Sequence, residues 1–323
     1  MNLPTNSSLR SNRALSETAV GMICMALAMV LLPVGDTFAK LLTTVLHPLE
    51  VTLWRVVAQG LCLVPVAFFL RSRLQGAMFS PIIALSGALV GMTLTSLIWA
   101  FSVMPLATAI AVFFIEPLIL TVLAGLLLKE RVGPTRLAAV GAGLIGALIV
   151  IRPGAGFSIV ALLPLMAAFT YALNMIVLRY ASQTRSGLTV QCGATAYAAF
   201  FLIECAVLLD MTSDYQFGIS GLPAWGWAAL FGAGVFAAGN FILIAEAFRR
   251  SEAGVLAPFQ YLEIIGATAA GYWVFGELPD AMTGIGVTII LASGLVVFWR
   301  EQLPSNRARL TDGRLRIRRI RPR

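Results

Sequence analysis

EPLILTVLAGLLLKE, residues 116–130, is an apolar stretch bounded by two glutamates, and residues 263–277, EIIGATAAGYWVFGE, repeat that arrangement. In both stretches the two glutamates stand 14 residues apart. Ahead of them, ALSGA at 84–88 is echoed by ALFGA at 229–233. Similarity at a nearly constant separation indicates an internal repeat, so we predict that the chain consists of two similar halves.

The composition of the 323-residue chain is that of a membrane protein, since 59% of its residues are apolar, 12% are charged and the mean hydropathy is +0.89. Soluble globular chains carry about 25% charged residues, and a soluble fold could not hide so much apolar surface. A helix needs about 20 apolar residues to cross a bilayer, and ten such runs predict an all-α integral membrane protein. The predicted spans are 19–46, 48–70, 79–103, 105–128, 134–151, 157–179, 187–209, 222–247, 253–275 and 281–299.

The distribution of basic residues predicts that both termini are cytoplasmic. With the N-terminus inside, 20 of the 23 Lys and Arg residues fall on the cytoplasmic side, as expected for loops that are not translocated. An odd number of spans in each half then makes the second half inverted in the membrane, an architecture found in secondary transporters. The predicted organisation is a cytoplasmic segment at 1–18, five-helix repeats at 19–151 and 157–299, and a basic cytoplasmic tail at 300–323.

Ionisable residues inside the predicted spans are candidates for function, because they are costly in lipid and usually face a cavity or a partner. The candidate coupling or charge network consists of Asp36, Lys40, Arg55, Glu116 and Glu263. The two glutamates occupy equivalent repeat positions and should meet near the middle of the bilayer, as proton carriers or as ligands for a cationic solute. The alternative is that each is permanently paired with Arg55 or Lys40 as a structural bridge.

Prolines and polar or aromatic residues accompany these carboxylates. Pro117 follows Glu116 and Pro258 precedes Glu263; proline removes a helical hydrogen bond and can expose backbone carbonyls to a cavity. Aromatic walls with a few polar groups suit a partly apolar organic solute, although such residues also pack in cores and at membrane interfaces. The candidate substrate-binding residues are Trp54, Trp99, Tyr171, Asn174, Asn240, Gln260 and Tyr261.

Signatures of other functional classes are missing from the sequence. It contains no GxxxxGK[ST], HExxH or GxSxG motif, which disfavours an ATPase, a zinc protease and a serine hydrolase. With a single histidine, His47, and no CxxC pair, we predict neither a metal site nor a cofactor. A passive facilitator or channel stays open as an alternative to a secondary active transporter, and a membrane-embedded enzyme acting on lipid is a third possibility.

Several segments together resemble the EamA-type branch of the drug/metabolite transporter superfamily. They are 36–40 (DTFAK), Glu50 to Arg55, Glu116–Pro117 through Lys129–Glu130, 257–263 (APFQYLE) and 275–280 (FGELPD). The resemblance covers about residues 19 to 300. It implies a ten-helix inverted-repeat protein of a bacterial cytoplasmic (inner) membrane that moves a small metabolite, such as an amino acid, riboflavin, S-adenosylmethionine or a sugar, by alternating access.

The predicted partners are this solute and the lipid bilayer. Eight arginines between residues 307 and 323 of the basic tail predict binding to anionic lipid on the cytoplasmic face, and we expect no nucleic acid. Small residues four apart, such as Gly87 and Gly91, favour close helix packing. That packing could lie within one chain or between two, so a monomer and a homodimer both stay open.

Overall fold

The computed structural model describes residues 6–128, 134–151, 159–212, 218, 219, 221–251 and 253–296, and within these residues every regular element is helical. The basic tail, 300–323, lies outside the described residues. Short 3₁₀ turns lie at Arg71–Arg73 and Ile159–Leu162. In chain order the helices are α1 Asn6–Leu42, α2 Pro48–Phe69, α3 Pro81–Val103, α4 Leu106–Phe113, α5 Glu116–Leu127, α6 Pro134–Ile151, α7 Leu163–Ala181, α8 Gly187–Thr212, α9 Ala224–Arg250, α10 Ala253–Gln260, α11 Leu262–Phe275 and α12 Ala281–Val296.

Seven helical segments of the described chain are long and apolar enough to cross a membrane. Three shorter apolar helices lie at Leu137–Ile151, Leu262–Phe275 and Ala281–Val296. The all-helical membrane class is therefore confirmed. The seven segments are Glu17–Leu42, Pro48–Phe69, Pro81–Val103, Leu106–Leu127, Leu163–Ala181, Gly187–Thr212 and Ala224–Arg250.

Two predicted spans, 105–128 and 253–275, are each interrupted near the middle. In the first, α4 ends at Phe113 and α5 begins at Glu116. Pro117, in the first turn of α5, has no N–H to bond a carbonyl four residues earlier, so the α-helical ladder cannot continue. In the second, α10 ends at Gln260 and α11 begins at Leu262. We call these pairs the first and second broken helices.

Helix boundaries elsewhere reflect local hydrogen bonding. The first helix ends at Leu42 rather than 46, because residues 43–46 form turns in which Val45 N–H bonds the Leu42 carbonyl at 3.1 Å. The second helix begins at Pro48, as predicted. His47 and Glu50 form a reciprocal capping box at its start, which satisfies backbone N–H groups that have no partner within the helix.

The most extensive helix contacts join the two halves of the chain. Helix α1 packs along α9, and α3 packs along both α7 and α8. Helix α2 contacts α8 and α9, while α11 contacts α1 and α5 contacts α7. At Gly87 of α3 a Cβ atom would lie 2.5 Å from the Cβ of Tyr197 on α8, so glycine permits this close approach within one chain. The core of the molecule is therefore shared between the halves.

Candidate functional site

One end of the molecule, which we call the Lys40 end, is held together by the Lys40 ammonium group. Its Nζ lies 2.5 Å from Oε2 of Glu277 and donates to the Met104 carbonyl at 3.0 Å. The same Nζ lies 4.8 Å from the centre of the Phe275 ring, a cation–π contact. Lys40 thus connects α1 to the α3–α4 link and to the segment that follows α11.

Deeper in the molecule, Asp36 of α1 pairs with Arg55 of α2. The Arg55 NH1 atom lies 3.0 Å from Asp36 Oδ1, and the two side chains are 8% and 3% exposed. Within the described part of the chain, Arg55 Nε is buried without a hydrogen-bond partner. The pair is therefore a buried ion pair that keeps one donor unused, which is costly unless another group accepts from it.

Glu116 lies in the first turn of α5, directly after the first break. Its Oε1 atom is buried and has no hydrogen-bond partner among the residues that the structure describes. The residue before it, Ile115, caps α5 without a side-chain hydrogen bond. A buried carboxylate oxygen without a donor is a group that a bound ligand or a proton can satisfy.

Glu263 lies in the first turn of α11, directly after the second break. Its carboxylate is close enough to Asp36 for the two to repel each other. The Tyr171 hydroxyl of α7 interacts electrostatically with both Glu116 and Glu263. Arg55, Asp36, Glu263, Tyr171 and Glu116 therefore form one connected set, contributed by both halves, which we call the central cluster.

Aromatic rings flank this cluster at both breaks. Phe113 of α4 meets Tyr171 edge-on with ring centroids 5.5 Å apart, and Phe114 stacks on Tyr261 at 5.8 Å. The Tyr261 hydroxyl lies beside Gly294 of α12, where a Cβ atom would come within 3.0 Å of it. Rings with carboxylates between them can hold a cationic organic group.

Asn174 and Asn240 join helices in this structure. Ser86 Oγ of α3 donates to Asn174 Oδ1 at 2.7 Å. The amide orientation that satisfies Asn240 donates to the Ala28 carbonyl at 3.0 Å and accepts from Leu32 N–H at 3.1 Å. Both side chains are buried. They stabilise the α3–α7 and α1–α9 contacts.

The remaining predicted residues lie in different surroundings. Trp54 packs against the apolar cluster of the Lys40 end. Trp99 is 40% exposed and its ring lies 5.5 Å from that of His47 in the α1–α2 link, so it is near an end of α3. Gln260 is exposed at the end of α10. Contact of these three residues with substrate stays a prediction.

The ion pairs of Arg55 and Lys40 differ from those expected if Glu116 and Glu263 formed structural bridges. Arg55 pairs with Asp36, and Lys40 pairs with Glu277, whereas that alternative pairs them with Glu116 and Glu263. Glu277, Phe113 and Phe114 were absent from the predicted site. The spacing of 14 residues between Glu263 and Glu277 could have indicated Glu277. No sequence feature near Phe113 or Phe114 indicates that these two residues belong to the site.

The central cluster has an excess of acidic groups. It contains three carboxylates, Asp36, Glu116 and Glu263, and one guanidinium, Arg55. Each carboxylate placed in an apolar interior requires a counter-charge, a proton or a hydrogen-bond donor. The arrangement can therefore accept a cation, or bind and release protons.

Comparison with known proteins gives a family match over nearly the whole chain. A model of the EamA-like transporter family matches residues 19–152 and 158–299. The S-adenosylmethionine uptake transporter of Rickettsia prowazekii is 28% identical over 296 residues, which cover 90% of this chain and 96% of that protein.

Two further comparisons extend the match. The riboflavin transporter of Vibrio cholerae is 31% identical over 214 residues, which cover 66% of this chain and 69% of that protein. A solved crystal structure aligns with a TM-score of 0.56 at 16% identity, covering 91% of this chain and 98% of the other. That likeness concerns the fold alone.

Proposed function

Since the chain belongs to the EamA-like transporter family, we propose that it is a secondary active transporter for a small organic metabolite that carries a cationic group. The chain is a multi-pass protein of a bacterial cytoplasmic membrane, and it is a transporter rather than an enzyme. The observation that carries the proposal is the central cluster, in which both broken helices direct carboxylates towards one region shared by the two halves.

The first proposed substrate is S-adenosylmethionine. It has a cationic sulfonium and ammonium group, a carboxylate and an adenine ring. The unpartnered acceptor Glu116 Oε1 and donor Arg55 Nε are complementary to an amino-acid group, whose ammonium donates and whose carboxylate accepts. The rings of Phe114 and Tyr261 suit an aromatic base or a sulfonium. The Rickettsia relative, which this chain matches over most of its length, is named for this solute.

Riboflavin is the second candidate, because the Vibrio relative is named as its transporter and because a flavin ring could lie between the same aromatic side chains. The carbonyl, imide N–H and ribityl hydroxyl groups of a flavin can also bond the Arg55 and Glu116 atoms, but a neutral flavin brings no positive charge to the carboxylates of the central cluster. A transport assay distinguishes the two solutes directly.

We further propose that the two halves are inverted repeats of five helices each and that transport occurs by alternating access, with both termini cytoplasmic. The helix contacts support the repeat, since they occur in pairs related by exchanging the halves: α1 with α9 and α7 with α3, α2 with α9 and α8 with α3, α1 with α11 and α7 with α5. In an inverted-repeat transporter the inward-open and outward-open conformations are related by a pseudo-two-fold axis that exchanges the two halves. The paired contacts are those expected for such a relation.

In this proposal the Lys40 end is the extracellular end and is closed. Lys40 joins α1 to Glu277 and to the Met104 carbonyl, and apolar residues including Leu42, Phe101 and Leu106 seal the space around it. Opening to the outside would separate Lys40 from Glu277. Protonation and deprotonation of Glu263, which interacts electrostatically with Asp36, supply the proposed coupling.

The proposal is tested by counterflow in proteoliposomes. Purified protein is reconstituted in vesicles loaded with unlabelled S-adenosylmethionine, riboflavin or methionine, and uptake of the labelled form is followed with and without an imposed pH gradient. We expect saturable, gradient-dependent uptake of S-adenosylmethionine. Uptake that is independent of pH and never accumulates solute would favour the passive facilitator, and absence of uptake by folded protein for all three solutes would reject this substrate assignment.

A further inference from the structure

An apolar groove lies on the surface of the described chain between the C-terminal half of α2 and the N-terminal half of α8. Its volume is about 420 Å³. Leu61, Val64 and Ala67 line it from α2, and Ala196 and Ala199 line it from α8. The Leu61 and Val64 side chains are 68% and 64% exposed, so the groove opens outward, away from the central cluster.

The depth of the groove comes from small residues. Gly60 faces α8, where a Cβ atom would lie 3.6 Å from Cγ2 of Thr195, and the alanines of both helices leave the space between the larger side chains unfilled. An apolar surface groove in a bilayer is in contact with acyl chains, which are as apolar as leucine. An acyl chain that fills the groove makes dispersion contacts that are missing when the groove is empty.

Two arginines stand at one end of the groove. Arg71 and Arg73 form the 3₁₀ turn that follows α2, and both are exposed. Arg71 is four residues beyond Ala67, about 6 Å along a helix axis. Neither arginine has an ion-pair partner among the described residues.

The link that closes this end of the groove carries a third positive charge. Met78 lines the groove, and the Arg185 guanidinium, from the link before α8, donates to the Ala77 carbonyl at 2.9 Å and to Ser80 Oγ at 3.2 Å. The segments 56–80 and 181–199 contain no Asp or Glu. The positive charge at this end is thus not neutralised by acidic residues of the same segments.

We propose that this groove binds one anionic phospholipid of the cytoplasmic leaflet, with an acyl chain between α2 and α8 and the headgroup phosphate on Arg71 and Arg73. Guanidinium groups bind phosphate through charge-assisted hydrogen bonds. An anionic headgroup is preferred over a zwitterionic one, because the latter also brings a positive ammonium group close to the arginines. The residues of the site belong to other segments of the sequence than the basic tail, 300–323, and the proposal does not depend on the transported solute.

The test uses two phospholipid probes that carry the same photoreactive acyl chain, one phosphatidylglycerol and one phosphatidylcholine, in vesicles containing the full-length protein. Labelled peptides are identified by mass spectrometry. We expect phosphatidylglycerol to label 56–80 and 190–200 in preference to phosphatidylcholine. Arg71→Gln with Arg73→Gln should lower the phosphatidylglycerol labelling by about tenfold, and Ala196→Trp, which fills the groove, should remove labelling from both segments.

Matched controls separate a specific site from general effects of substitution. Arg249→Gln replaces an exposed arginine of α9 that is paired with Glu246, and Val207→Trp adds the same indole to an exposed position of α8. Both should label as the wild type does. Equal labelling by the two lipids, or labelling unchanged in the double arginine variant, overturns the proposal, and so does a change from dimer to monomer in Ala196→Trp, which would make the groove an interface between two copies.

Discussion

The two broken helices have the same construction and different surroundings. In both, a helix ends in mid-span and the next begins with a glutamate in its first turn, without a side-chain cap. Glu116, after the first break, keeps a buried oxygen without a hydrogen-bond partner. Glu263, after the second, lies near another carboxylate, Asp36, which is itself bound to Arg55.

We infer from this difference that the glutamates after the two breaks have different functions. A carboxylate with an unused acceptor suits the binding of a cationic group. A carboxylate that interacts electrostatically with a second acid suits proton exchange, because binding a proton removes the repulsion between the two. In the proposed transporter Glu116 therefore contacts the solute and Glu263 couples its movement to protons.

We expect the largest effect from Glu263→Gln, which keeps the shape of the side chain and removes its charge and its proton. Uptake of labelled S-adenosylmethionine should fall by about 100-fold, the effect of losing a charged hydrogen-bonding group in a dry site, and its pH dependence should disappear. Glu204→Gln is the matched control, because Glu204 is an exposed carboxylate of α8. If Glu263→Gln retains both the rate and the pH dependence, the coupling role is wrong.

Glu116→Gln should have a smaller and selective effect. Its amide keeps an oxygen acceptor but loses the charge, so the KM for S-adenosylmethionine should rise by about tenfold, while the pH dependence of uptake remains. Concentration series in proteoliposomes measure both quantities. Identical behaviour of the Glu116 and Glu263 variants would remove the distinction between the two breaks.

The Lys40–Glu277 pair tests how the second broken helix is held at its end. Its side chains are 10% and 30% exposed, so loss of the pair should change the transport rate by about fivefold, as for a partly exposed ion pair. Lys40→Gln, Glu277→Gln and the double variant form a double-mutant cycle. The double variant should resemble either single variant, and additive effects would show that the two groups act separately.

The smallest effect is expected at the start of α2. This helix start is capped by a side chain, unlike the helix starts at the two breaks. His47 Nδ1 accepts a hydrogen bond from Leu49 N–H at 3.2 Å, and burial lowers the pKa of this imidazole, against an opposing effect of Glu50. A lowered pKa in the folded state means that the unfolded chain binds the proton more readily. This contribution to stability is therefore present above about pH 6.5, the usual histidine value, and is lost as the pH falls through the lowered pKa.

Melting temperatures of the purified protein at about pH 5 and about pH 8, on either side of the usual histidine pKa, measure this contribution. His47→Asn is the control, since asparagine is a good N-cap residue that does not titrate. It should reduce the difference between the two melting temperatures. An undiminished difference would mean that other groups cause the pH dependence.

Much of the fold was predictable, because a run of about 20 apolar residues has few structures available to it in lipid. The start of α2 at Pro48 was predicted from the sequence. The two breaks could not be predicted. Hydropathy is averaged over a whole span and does not indicate where the helical hydrogen bonds are interrupted. Pro117 marked the neighbourhood of the first break, but whether a proline bends a helix or divides it depends on the packing around it.

The site was predictable in its carboxylates and not in their partners. The cost of burying a charge in lipid singles out Glu116 and Glu263 from composition alone. The pairing of Arg55 with Asp36, and of Lys40 with Glu277, follows from how α1, α2 and α11 pack. This packing joins residues that are distant in the chain, so it cannot be predicted from local sequence. The hydrogen bonds by which Asn174 and Asn240 join helices follow from the same packing, and contact of these two residues with substrate stays a prediction.

The central claim, that the carboxylates of the two broken helices form one site for the solute and the coupling proton, is tested most directly by equilibrium binding of labelled S-adenosylmethionine to purified protein. The measurement compares wild type, Glu204→Gln, and the double variant Glu116→Gln with Glu263→Gln, each confirmed as folded by its melting curve. We predict saturable binding to the wild type and to Glu204→Gln, and binding weaker by about tenfold or more to the double variant. Binding of undiminished affinity by the folded double variant would contradict the account.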